Sequence, residues 1–111
     1  FMVDNKSLWA YNRVLFSQTT GVNMTKKISI KVFADPGHAW ARFPKAKLVS
    51  LGIADKISTY SYMNGSNAFL EEDCDLSTLL VALRDRGYEI KFNESHANKQ
   101  SKIRGYCSYK V

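Results

Sequence analysis

The sequence predicts an α+β fold: a two-layer sandwich in which a mostly antiparallel β-sheet carries two helices on one face. Three observations point to it. Short segments alternate apolar and polar residues with a period of two. Two segments instead repeat apolar residues at helical spacing. Turn signals fall between the strands at hairpin spacing.

Ile28, Ile30 and Val32 alternate with Ser29 and Lys31, the pattern of a half-buried strand. Asp35-Pro36-Gly37 follows as a turn, because proline presets φ and glycine accepts positive φ. Ala39 to Phe43 returns as a second strand. Pro44 suits a helix start, and Leu48, Val49 and Leu51 form a short apolar face that Gly52 ends. Ile57 to Tyr62 reads as a third strand. Asn64-Gly65 is the strongest hairpin signal in the chain, and Asn67 to Glu72 reads as the returning strand.

Asp75 is a suitable helix N-cap. Leu76, Leu79, Leu80 and Leu83 then recur at i, i+3, i+4 and i+7, and Arg84, Arg86 and Gly87 suit the end of that helix. Tyr88 to Asn93 alternates again, with Tyr88, Ile90 and Phe92 on one face. Residues 95–101 read as a polar loop, and Lys102 to Val111 as a last strand or turn.

The 111 residues amount to one domain. A composition break near residue 22 separates an Asn-, Ser- and Thr-rich segment, 1–23, from the patterned domain, 24–111. Met24 is a candidate natural start, with 1–23 a loosely held extension. The alternative is an amphipathic docking arm using Leu8, Trp9, Val14, Leu15 and Phe16. Hydrophobic residues make up 45% and charged residues 23%, which argues against disorder of the whole chain. No apolar run approaches the roughly 18–20 residues of a membrane span. Dinucleotide and phosphate-loop glycine motifs are absent.

A net charge of +6 favours acidic partners, nucleic acid among them. The distribution weakens the nucleic-acid reading. Basic residues are scattered except near Lys99, Lys102, Arg104 and Lys110, while Glu71, Glu72, Asp73 and Asp75 stand together. Cys74 and Cys107 are the only cysteines, without disulfide or zinc spacing, and read as buried small apolar residues with reduced thiols. No metal or cofactor is expected. A cation at the acidic run is conceivable, since Asp73 and Asp75 suit a helix N-terminus but two glutamates ending a strand do not.

The central hairpin holds the densest candidate site. A two-residue Asn64-Gly65 loop pairs Met63 with Ser66 and sets Tyr60 opposite Phe69. Tyr60, Tyr62, Phe69 and Glu71 then share one face, and a one-residue slip would substitute Glu72. A carboxylate beside two tyrosines can hold an ammonium and screen a cation with π-faces. Aromatic cross-strand pairs also stabilise sheets with no ligand at all. His38 at the first hairpin tip is a turn histidine or a general base. Arg104 is a solvated side chain or a clamp for a carboxylate or phosphate.

The stretch from Ile28 to Tyr106 resembles small bacteriophage proteins. The likeness rests on Gly37-His38-Ala39-Trp40, Tyr60-Ser61-Tyr62, Asn64-Gly65, Leu70-Glu71-Glu72-Asp73-Cys74-Asp75 and Ile103-Arg104-Gly105-Tyr106. Among these proteins the chain resembles the phage S-adenosylmethionine-degrading enzymes. That resemblance implies a lyase in the host cytoplasm, with no cofactor and no membrane partner. It also implies a homo-oligomer, such as a trimer, with pockets at its interfaces. It would make Tyr60 and Glu71 catalytic and place Tyr62, Phe69 and Glu72 at the substrate. The alternative is a non-catalytic inhibitor of a host protein, of the antirestriction or anti-CRISPR type. A third reading is a nucleic-acid module using the C-terminal basic segment.

Overall fold

A computed structural model describes residues 26–111. The expected extension, 1–23, lies outside them. The chain forms β1 (Lys26–Ala34), β2 (Ala39–Pro44), α1 (Lys45–Ser50), β3 (Tyr62–Asn64), β4 (Asn67–Glu71), α2 (Leu76–Asp85), β5 (Tyr88–His96) and β6 (Cys107–Ser108). Single 3-10 turns occupy Ala54–Lys56 and Lys102–Gly105. One six-stranded sheet results, in the order β5-β1-β2-β4-β3-β6. Its neighbours are antiparallel except β1 and β5, which run parallel because α2 carries the chain across the sheet. The α+β sandwich expected from the sequence is the fold observed.

Period-two alternation sorts the side chains. Ile30 and Val32 of β1, Ala41 and Phe43 of β2, and Ala68 and Leu70 of β4 face the helices. Leu48 of α1 and Leu76, Leu79, Leu80 and Leu83 of α2 close that core. The intervening residues face the other way. Trp40, Phe69 and Ile103 form a second, smaller cluster there, flanked by Phe33, Tyr62 and Tyr106. The Lys102–Gly105 turn supplies Ile103 and so folds the C-terminal segment over the face opposite the helices.

Four local expectations are corrected. Residues 57–61 are not a strand. Ser58 N and Oγ bond Asp75 at 3.0 and 2.8 Å, and Ser61 Oγ bonds Asp75 as well, which ties this segment to α2 instead of to a ladder. For the same reason Asp75 stands at the N-cap position of α2 without capping it through its side chain. The hairpin loop is Gly65-Ser66, not Asn64-Gly65. Gly65 alone takes positive φ (61°), the pattern of a type II′ turn, and Asn64 pairs with Asn67. Finally, both cysteines are exposed, Cys74 in the β4–α2 turn and Cys107 on the edge strand β6.

The new register sets Tyr62, not Tyr60, opposite Phe69. A shift of two residues preserves the face, so Tyr62, Phe69 and Glu71 remain on one side as the alternation requires. Continued past the end of β3, the same register would bring Tyr60 to Glu71.

Candidate functional site

The site lies at the end of β2 and β4, on the face away from the helices. Trp40 and Glu71 are cross-strand partners, and Tyr62 sits on the adjoining strand. Together with Tyr60, His38 and Asp73 they line a cavity of about 250 Å³. Arg104 and Cys74 complete the wall.

Its rigidity begins at Asp35, whose side chain is fully buried. Asp35 Oδ1 accepts from the backbone N–H of Gly37 (2.9 Å) and His38 (3.0 Å). Oδ2 accepts from Ser101 N (2.9 Å) and Arg104 Nε (2.7 Å), and Arg104 Nη2 reaches Oδ1 at 2.9 Å. One carboxylate thus fixes the first hairpin tip and staples the C-terminal segment to it. Burial pushes the Asp35 carboxyl up, but the Arg104 guanidinium and the N–H groups of Ser101, His38 and Gly37 outweigh it and hold it well below the usual range. Arg104 is therefore a clamp on the chain's own carboxylate, with its guanidinium 5.3 Å from the Trp40 ring centre. Gly37 leaves room for the clamp, since a Cβ at that position would sit 2.8 Å from Arg104 Nη2.

A second relay holds Glu71. Ser61 Oγ bonds both Asp75 and the Glu71 backbone N–H, the latter at 2.9 Å. The Glu71 side chain is nearly buried. Its Oε2 is 3.0 Å from His38 Nδ1, and its Oε1 accepts from Asp73 N at 2.9 Å. As a carboxylate Glu71 accepts, so His38 Nδ1 donates.

Glu72 differs from its neighbour. It is only 6% exposed, and neither of its carboxylate oxygens has a hydrogen-bond partner. Burial, joined by the charges of Asp73 and Glu71 and only partly opposed by the Ala39 N–H, pushes its carboxyl up to about 8. The Cys74 thiol, though the residue is exposed, is pushed up to about 11, by partial desolvation first and then by Glu71 and the neighbouring aspartates, which makes it a poor nucleophile. The indole Nε1 of Trp40 is also buried without a partner.

Of the residues singled out from sequence, Tyr60, Tyr62 and Glu71 line one cavity. Tyr60 is 71% exposed, at the rim. Phe69 is buried beneath, its ring centre 5.2 Å from that of Tyr106, and supports the floor. Of the two register alternatives, Glu71 shares the tyrosine face and lines the cavity and Glu72 does not, although single donor atoms of His38, Glu71, Glu72 and Asp73 all lie within 4.8 Å of one another. Sequence reasoning overlooked the Asp35–Arg104 staple and the Ser61–Asp75 relay. Both join residues far apart in the chain, and no local pattern encodes them. No family model, curated protein or solved structure matches this chain.

Proposed function

We propose that this chain is an S-adenosylmethionine lyase of the bacteriophage type, acting as a homo-oligomer in the host cytoplasm. The observation that carries the reading is the convergence of Tyr60, Tyr62 and Glu71 on one cavity. The substrate has a sulfonium, an α-ammonium and a carboxylate. Glu71, locked by Ser61 and His38, receives the ammonium. The tyrosine rings screen the sulfonium.

The reaction is an internal displacement. The substrate carboxylate attacks its own Cγ, the C–S bond breaks, and the electron pair leaves with sulfur. The products are methylthioadenosine and homoserine lactone. No water and no external base take part. Anion and sulfonium disappear together, so a site less polar than water favours the step. The protein's main task is to hold the folded conformer, which is proximity catalysis.

A cavity of about 250 Å³ is below the roughly 300–1,000 Å³ of pockets that enclose a drug-sized ligand. A second copy of the chain would complete the adenosine side. This agrees with the exposure of Tyr60, a large aromatic at the rim.

The test is direct. Purified protein incubated with S-adenosylmethionine releases methylthioadenosine, detected by chromatography, and no release at high enzyme concentration refutes the proposal. Glu71→Gln and Tyr60→Ala abolish or strongly reduce release while the far-ultraviolet circular dichroism is unchanged.

A further inference from the structure

We propose that His38, Glu71, Glu72 and Asp73 form a binding site for one divalent cation of the manganese or zinc class. The inference does not rest on the lyase reading and competes with it for Glu71 and His38, since a bound cation would take the carboxylate assigned above to the ammonium.

The geometry fits a single ion. One nitrogen or oxygen from each residue lies within 4.8 Å of all the others. Ligands about 2.0–2.2 Å from a metal are at most about 4.4 Å apart. Opposed ligands of a six-coordinate ion therefore need a closure of a few tenths of an ångström, while a tetrahedral ion, with ligands about 3.4 Å apart, would need the four side chains to draw in further.

Acidic clusters are common, and Glu72 is what distinguishes this one. Its side chain is more than nine-tenths buried, and one of its oxygens belongs to the four-atom cluster. Both oxygens lack any hydrogen-bond partner. Buried carboxylates are ordinarily paired or bound to a metal. Asp75 is explained by its bonds to Ser58 and Ser61, Glu71 by His38 and the Asp73 amide, and Asp73 is exposed to solvent. The Ala39 N–H favours the Glu72 carboxylate without making a full hydrogen bond to it, and burial outweighs that contribution; a cation among these four groups would complete its partners.

The donor set selects the ion. Three carboxylates and one imidazole are too few and too nitrogen-rich for calcium, which takes six to eight oxygens. Imidazole with carboxylates suits manganese and zinc. On binding, His38 moves its Nδ1 proton to Nε2 and turns the Nδ1 lone pair to the ion.

The experiment uses the full chain, freed of metal with chelator and titrated with Mn²⁺ under electron paramagnetic resonance. One saturable site per chain is expected, with nitrogen modulation of the spin echo from His38. Glu72→Gln, close in shape and verified folded by circular dichroism, weakens binding by at least about tenfold, since even outer-shell changes around metals cost that much. His38→Ala removes the nitrogen modulation. The proposal is overturned if no site saturates below about 1 mM, the range of weak sites. It is equally overturned if Glu72→Gln binds as tightly as the wild type.

Discussion

The two faces of the sheet are built on different principles. The helix-side face is an apolar core of Ile30, Val32, Phe43, Leu70 and the α2 leucines, held by burial alone. The opposite face has a three-residue core, Trp40, Phe69 and Ile103, and depends on buried carboxylates. Asp35 and Asp75 are satisfied by five and three hydrogen bonds respectively. Glu72 is satisfied by none. The apolar face tolerates shape-conserving change. The polar face is fixed by named pairs and fails when one partner is removed.

The largest effect should come from Asp35→Ala. It strips Arg104 and three backbone N–H groups of their acceptor at once, at a cost of about 3–5 kcal/mol, as for other broken buried pairs. Chemical denaturation measures it. The same residue sets an acid limit. Its folded value lies below its ordinary value near 3.8, so its contribution is complete above that pH and is lost as the pH falls below it. A variant with Asn at this position should lose that acid dependence.

Leu80→Ala probes the other face. Leu80 is fully buried among the α2 leucines, and truncation should cost about 3 kcal/mol through lost burial and a cavity. This loss should be the same at pH 4 and pH 9, because no charge changes. A pH-dependent loss would show that the two faces are coupled.

These differences explain what could be read in the sequence. The helix face was legible because its rule is periodic: Leu76, Leu79, Leu80 and Leu83 announce themselves, as does the alternation through Val32. Half of the site was legible for the same reason, since Tyr62, Phe69 and Glu71 share a face by period two even after a two-residue slip. The remainder was not. Ser58 and Ser61 leave the ladder for Asp75, and Arg104 reaches Asp35 across 69 positions. Such contacts are decided by three-dimensional closure. Tyr60 came to the cavity by a route the sequence did not show, as a turn residue at the rim.

Glu72→Gln tests the least satisfied group on the polar face. Its folded carboxyl titrates near 8 against an ordinary 4.5, so the native state keeps a proton that the unfolded chain has released. The sign follows: the protein's stability falls as pH rises from about 4.5 to about 8, then levels. Glutamine carries no such charge. With chelator present, the variant should match wild type near pH 4 and exceed it by about 2 kcal/mol near pH 9, part of what a shift of this size allows. Equal stability at both pH values would mean that the buried oxygens find partners after all.

The smallest effect should come from Gly37→Ala, yet it separates the faces most cleanly. The added methyl meets Arg104 Nη2 at 2.8 Å. Ordinarily the end of an arginine moves aside at little cost, but here both Nε and Nη2 are held by Asp35. The guanidinium must slide without leaving the carboxylate, which should cost about 1 kcal/mol, the low end for added bulk in a packed site. The methyl touches nothing on the helix side, so amide exchange should quicken around His38 and Ser101 and stay unchanged in α2. Uniform quickening would mean that the staple stabilises the whole sheet and that the polar face is not an independent unit.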